Sequence, residues 1–326
     1  MKRIILLITL LLTIPVSLFA QKESILVIES YHAEYPWDAS YIEGLKDILK
    51  DGYDLQYFEM DTKRLPASEY DKRAQMAWEK YLELKPSLVI LGDDNALKYL
   101  GKKFSVTTTP VVYLGINNNP RYYDMARFDN ITGVLERPLM KRSIKYIDDF
   151  FEVKKVLILF DSGETSKVVH TEVFSGKERQ IFGGIIADIK LIDNFGTWQK
   201  SVLEAKNQDY DAIIVGLYHT LVDDAGNHVD ANKVLGWTSD NTPVPPFAFW
   251  DFTVGKGKAI GGYVLFGKAQ GKKAGELALK MLADKNHGRI PPQTADNGQL
   301  YFSRSQLEKW GLTITGDMVS KTTFIE

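Results

Sequence analysis

The chain has 326 residues, with 40 Lys and Arg against 42 Asp and Glu, 5 His and no Cys. A near-neutral balance without a basic run argues against a nucleic-acid partner. The absence of Cys excludes disulfides, thiol catalysis and a lipidated cysteine anchor, while the length suffices for two domains.

Lys2 and Arg3 precede an almost wholly apolar stretch over 4–19, and Ala20 is a plausible last residue before cleavage. This reads as a signal peptide over 1–20. The alternative is an uncleaved anchor, for which a run of about sixteen apolar residues broken by Pro15 is short of the ~20 a spanning helix needs. The mature chain is expected to be a soluble monomer of the periplasm, not a lipoprotein. Ile25 to Ile28 are four consecutive apolar residues, the pattern of a buried strand. A loop follows, Ser30-Tyr31-His32-Ala33-Glu34-Tyr35-Pro36-Trp37. Asp38 then offers an N-cap for a helix with Ile42, Leu45, Ile48 and Leu49 on one face. The pattern continues with a strand over 54–59, a Ser68-capped helix over 68–84 and a strand over 87–91 ending at Gly92-Asp93-Asp94-Asn95. A short helix through Leu97 and Leu100 precedes a strand over 110–114, which ends at Gly115-Ile116-Asn117-Asn118-Asn119. Repeated strand–helix order predicts a parallel, doubly wound α/β sheet.

The pattern then restarts. A strand over 130–135 and a helix to 151 lead to a buried strand over 155–160, ending at Asp161-Ser162-Gly163-Glu164. A helix is expected to about 182, then a strand over 185–192 and a helix capped by Thr197. Strands over 212–215 and 246–250 end at Gly216-Leu217-Tyr218-His219 and at Asp251. Lys256-Gly257-Lys258 lacks the spacing of a phosphate loop and reads as a surface turn before a strand over 259–266. A helix over 269–282, a strand over 300–302 and a helix over 305–310 complete the chain. Two α/β units of similar size imply two lobes.

Several blocks, in order along the chain, carry a family resemblance. They are Pro110-Val111-Val112-Tyr113-Leu114-Gly115-Ile116-Asn117, the N-x-T-G-V match Asn130-Ile131-Thr132-Gly133-Val134, and Val156 to Glu164, where a strand ends in an N-P-S-E-like turn. The last is Gly261-Gly262-Tyr263 with the helical segment 277–282 and Ile290-Pro291. The chain resembles the ABC-transporter substrate-binding family that includes tryptophan- and phenylalanine-binding periplasmic proteins. The loop over 30–37 is closer to the sensor version of that family, fused elsewhere to membrane kinases or cyclases. The resemblance implies a type I periplasmic-binding-protein fold, α/β with two Rossmann-like lobes joined by hinge strands. Crossings are implied near 135–137, 263–266 and 289–292. The N-terminal lobe would then hold 21–135 and 266–289, and the C-terminal lobe 136–265 and 290–326. The ligand would lie between the lobes, where the carboxyl ends of both sheets face each other.

The candidate ligand-binding residues sit at those strand ends. Tyr31, Tyr35 and Trp37, beside Ser30, either stack on a ring-shaped ligand or pack the loop onto its own lobe. His32 either donates to a ligand oxygen or is structural. Asp93 and Asn95 face the cleft, or Asp94 and its neighbours simply cap a helix. Asn117 and Asn118 either bind a polar group or accommodate a turn. Asp161, Ser162 and Gly163 open a second-lobe helix whose free N–H groups suit an anion, whereas Asp161 itself favours an amine or hydroxyl. Tyr218, His219, Trp250 and Asp251 end second-lobe strands, Asp251 being suited to an ammonium or a sugar hydroxyl.

No catalytic motif and no metal-ligand spacing occurs, so neither an enzyme nor a cofactor or metal is expected. The expected function is a periplasmic solute-binding protein that delivers a small polar or aromatic molecule to an ABC permease. The alternative is a free periplasmic ligand sensor docking on a membrane histidine kinase or diguanylate cyclase. The residues leave the ligand open among amino acid, aromatic acid, nucleoside and sugar.

Overall fold

The computed structural model describes residues 22–119, 121–137, 139–284, 288–295 and 298–326; the signal peptide expected over 1–20 lies outside them. The first lobe is built from β1 (Glu23–Glu29), α1 (Pro36–Leu49), β2 (Tyr53–Glu59), α2 (Tyr70–Leu84), β3 (Leu88–Gly92), α3 (Asp93–Phe104), β4 (Val111–Ile116) and β5 (Ile131–Leu135). Ile25 and Val27 of β1 enter one hydrophobic layer, and Leu26 and Ile28 the other. Both faces of the strand are therefore covered, which is why its apolar run has no polar break.

The second lobe follows with α4 (Met140–Phe150), β6 (Lys155–Asp161), α5 (Glu164–Phe174), β7 (Arg179–Phe182), β8 (Ile185–Ile192), α6 (Phe195–Leu203), β9 (Ala212–Val215), α7 (Ala231–Asn241) and β10 (Pro246–Ala248). The chain then runs through β11 (Gly261–Val264), α8 (Gly267–Ala283), β12 (Gln293–Thr294), β13 (Gln299–Ser303), α9 (Arg304–Lys309), α10 (Asp317–Lys321) and β14 (Thr322–Ile325).

The first sheet has the order β12-β5-β4-β3-β1-β2 and the second β10-β9-β6-β8-β7. Every pairing in the first is parallel; in the second only β7 runs antiparallel, against β8. β11, β13 and β14 form a third sheet, joined to the second lobe by bonds such as Leu265 N–H to Phe249 O (2.9 Å). The strand order reverses between β1 and β3 in the first sheet and between β6 and β9 in the second. Such reversals open a crevice at the carboxyl ends of the strands.

α8 returns to the first lobe and lies backbone-to-backbone on α1. A Cβ at Gly271 would stand 1.9 Å from the Tyr41 carbonyl oxygen, and one at Gly44 2.2 Å from that of Lys268. From this seat α8 sends Ala274, Leu277, Ala278 and Met281 into the core.

Local expectations need correcting in five places. α1 starts at Pro36 with Tyr35 as its N-cap, so Asp38 lies inside the first turn and caps nothing; proline prefers the first helical position. α5 stops at Phe174, and 179–182 is a strand, because Gly183 and Gly184 both adopt positive φ and close a β-hairpin with β8. Asn194, not Thr197, caps α6, accepting the Thr197 N–H at 3.0 Å. Helix α7, which the sequence pattern did not announce, buries only Val234, Leu235, Thr238 and Ser239. The crossing expected near 289–292 does not take the next strand to the second lobe, because β12 (Gln293–Thr294) pairs with β5 of the first sheet.

Candidate functional site

The ends of β1 and β3 on one side, and of β6, β9 and β10 on the other, converge on a small chamber. From the first lobe come Tyr31, Tyr35, Trp37, Asp93 and Glu136; from the second come Thr165, Leu217, Trp250 and Phe252. Tyr31 follows β1, and its hydroxyl donates to Asp93 Oδ1 at 2.8 Å. Tyr31 Oη also lies 3.1 Å from Thr165 Oγ1 across the cleft. A phenol has one proton, so the Thr165 hydroxyl is the donor in that second bond. Glu136 follows β5, tied to the first sheet by its N–H to Ile116 O (2.9 Å). Its Oε1 accepts from Trp250 Nε1 at 2.8 Å and its Oε2 from Asn117 Nδ2 at 2.9 Å. Lys98 and Glu164 add an ion pair at 3.1 Å on the rim. The lobes are thus closed on each other by bonds that both contribute.

Asp93 is held in the left-handed region, with φ of 73°. A buried non-glycine residue in that region is strained, a feature that clusters at functional sites. Its carboxyl is pushed up to about 6 by burial, against the opposing pull of the Asp94 N–H, the Tyr31 hydroxyl and Lys63. Asp94 rises to about 7 through burial and the neighbouring Asp93 charge. Glu136 is raised well above the usual carboxylate range by burial and by Asp93. Burial also raises Asp161, but Lys63, the Ser166 hydroxyl, His219 and the Gly163 N–H outweigh it and hold the carboxyl below its ordinary value. Lys63 is itself buried, with Nζ 4.6 Å from the Tyr31 ring centre and 5.4 Å from that of Tyr35. The site is therefore an aromatic box with two carboxylates inside and one lysine outside its Tyr31 and Tyr35 wall.

Residues 38–324 match the ABC transporter substrate binding protein family. The chain belongs to that family. No curated protein matches it in sequence. Among solved structures it is similar to the ABC domain from Streptococcus pneumonia in complex with L-Trp, at 15% identity and a TM-score of 0.67 over 93% of this chain and 99% of that one. It is equally similar to a conserved domain protein from Vibrio cholerae O1 biovar El Tor, with the same identity, coverage and TM-score. A substrate-binding protein with adhesive properties from Clostridium difficile, in its ligand-free, open form, aligns at 13% identity over 93% and 99% of the two chains, with a TM-score of 0.63. The fold is that of type I periplasmic binding proteins, as the sequence blocks implied.

In this binding-protein frame the predicted residues divide into three groups. Tyr31, Tyr35, Trp37, Asp93 and Trp250 meet in the chamber. A second group borders the two clefts beside it. Asn95, Ser162 and Gly163 line one with Lys63, and His32, Tyr218 and His219 line the other. Asn95 is occupied by Thr62 (2.8 Å), and His32 by Glu34 (3.0 Å). His219 stacks on Tyr218 at 4.2 Å, and burial depresses its imidazole to about 3.

The third group is structural. Ser30 bonds Gly92 O and the Ala96 N–H, pinning β1 to β3 and α3. Asn117 supports Glu136 from behind, and Asn118 bonds the Tyr123 hydroxyl (3.2 Å). Asp161 is consumed by the Gly163 N–H, the Ser166 hydroxyl and the Thr220 N–H. Asp251 opens a 3₁₀ turn and is not among the residues lining the chamber. The strand end there turns its aromatic neighbours Trp250 and Phe252 inward instead.

Sequence reading missed Glu136, Thr165, Leu217, Phe252 and Lys63. Glu136 left the clearest signal, a carboxylate directly after an apolar strand at a predicted crossing. Lys63 left none, because its role depends on how the segment after β2 folds back over the Tyr31 and Tyr35 rings.

Proposed function

We propose that the chain is an exported solute-binding protein, without catalytic activity, that closes its lobes on one small molecule in the chamber and delivers it to an ABC permease. The observation that carries this reading is the chamber itself. It is lined from both lobes and latched by Thr165 to Tyr31 and by Trp250 to Glu136. Tyr31, Tyr35, Trp37, Asp93, Glu136, Trp250 and Phe252 are the contact residues in this proposal. Export through the segment 1–20 would bring the protein to the periplasm, where it meets the permease as a monomer. Hinge closure around a ligand at the strand ends is the common device of such receptors.

The test is small-angle scattering on protein purified without refolding, with and without the solute that co-purifies, identified by mass spectrometry. Binding should reduce the radius of gyration. A solute proven by calorimetry to bind with no change in radius would refute closure. Delivery is tested by reconstituting the loaded protein with an ABC permease and ATPase where neighbouring genes encode them; stimulated ATP hydrolysis is the expected result. Neighbouring genes for a membrane kinase or cyclase, with no permease, would replace delivery by sensing.

A further inference from the structure

We propose that the chamber selects an organic cation, a ligand that carries an ammonium group and no carboxylate. This deepens the binding-protein reading above and rests on it. Charge is the first argument. Among the described residues, Asp93 and Glu136 are the only acidic or basic side chains lining the chamber, and both are buried. Their present partners are neutral donors: the Tyr31 hydroxyl and Asp94 N–H for Asp93, the Trp250 and Asn117 N–H groups for Glu136. Two acidic groups buried side by side are costly to ionise, and a cation between them lowers that cost; Lys63 already draws Asp93 toward its charged form from outside the Tyr31 and Tyr35 wall. Lys63 does not serve this purpose from inside. It lines the adjoining clefts rather than the chamber, and its charge is among the influences that hold Asp161 ionised.

The walls are the second argument. Tyr31, Tyr35, Trp37, Trp250 and Phe252 surround the two carboxylates with π-faces and edges. Aromatic faces around a desolvated cation attract it through their quadrupoles, as in cages for methylated ammonium groups. Trp37 adds a polar atom: it is 3% exposed, and its Nε1 points toward the Asp93 carboxylate without completing a hydrogen bond. That N–H is available to an oxygen acceptor on the ligand, so an amino alcohol fits better than a plain amine.

Charge sign separates the competitors: an amino acid would bring its own carboxylate against Asp93 and Glu136, with no basic side chain on the chamber's lining to receive it. The cation is thereby distinguished from a zwitterion with the same head group.

Calorimetry with three probes of one shape tests this: choline, its uncharged carbon isostere 3,3-dimethylbutan-1-ol, and glycine betaine, which adds a carboxylate. Ethanolamine and methylammonium extend the cation series. At least one cation should bind at least 100-fold more tightly than the isostere and the betaine. Glu136→Gln and Asp93→Asn, each checked for folding by thermal unfolding, should each weaken that cation at least 10-fold. Equal binding of the isostere or the betaine would overturn the inference, as would undiminished cation binding by both variants. If the cations fail while a neutral or anionic solute compacts the protein in scattering, the inference falls and the binding-protein reading stands. If no solute of any charge compacts it, both fall.

Discussion

Thr165→Val isolates the latch between the lobes. The Thr165 hydroxyl donates to Tyr31 Oη at 3.1 Å across the cleft, while the Tyr31 proton is committed to Asp93 within the first lobe at 2.8 Å. Valine keeps the branched shape and removes only the cross-lobe bond. No buried donor is orphaned, because the Tyr31 O–H keeps its acceptor and Oη loses only one accepted bond. A net hydrogen bond of this neutral kind is worth about 0.5–1.5 kcal/mol. The closed-to-open ratio should therefore fall roughly two- to twelve-fold, since 1.4 kcal/mol is a factor of ten. Apparent ligand affinity falls by up to the same factor where the binding-competent closed form becomes the minor one. The rim ion pair of Lys98 and Glu164 is about one-third exposed on each side, so Lys98→Ala should add at most about 1 kcal/mol. Scattering on the unliganded protein reads the ratio, and calorimetry reads the affinity. The reasoning is refuted if Thr165→Val leaves both the radius of gyration and the affinity at parent values.

Other outcomes follow from the same geometry. Gly271→Ala should destabilise the protein by about 3 kcal/mol or more and leave α8 loosely seated, because its Cβ would lie 1.9 Å from a backbone oxygen of α1; chemical denaturation measures it. Trp250→Phe should weaken binding of the compacting solute about tenfold through loss of the 2.8 Å bond to Glu136, whereas Asp251→Asn should change it less than twofold. Stability should fall as pH rises from 6 to 8.5. Burial raises Asp93 and Asp251 to about 6, Asp94 to about 7 and Glu29 to about 8. A carboxyl raised in the folded state contributes stability that is complete below its unfolded pKa and lost as pH climbs through the folded one. A two-unit shift corresponds to on the order of 3 kcal/mol. His219, depressed to about 3, works oppositely and withdraws stability as pH falls below about 6.5. A melting temperature that is flat or rising from pH 6 to 8.5 would contradict this account.

The β–α order and the buried strands were legible because they are local. Ile25 to Ile28 and Val156 to Phe160 are apolar at every position, and no exposed or one-sided strand needs that composition. Elements whose cause lies elsewhere were not legible. β7 depends on its pairing with β8, β12 on an open edge at β5, and α7 on a cover that needs only four buried residues. The same division runs through the site. The sequence by itself determined that aromatic and acidic residues gather after β1 and β3 and that Trp250 ends a strand, since each follows an apolar run. Only the tertiary structure decided which of them share one chamber. Strand ends far apart in sequence become neighbours through the switch points of two sheets, and α8 must cross back to α1 to complete the first lobe. That is why Tyr31 meets Thr165 across 134 positions and Trp250 meets Glu136 across 114, and why Asp251, one residue away from Trp250, is left outside.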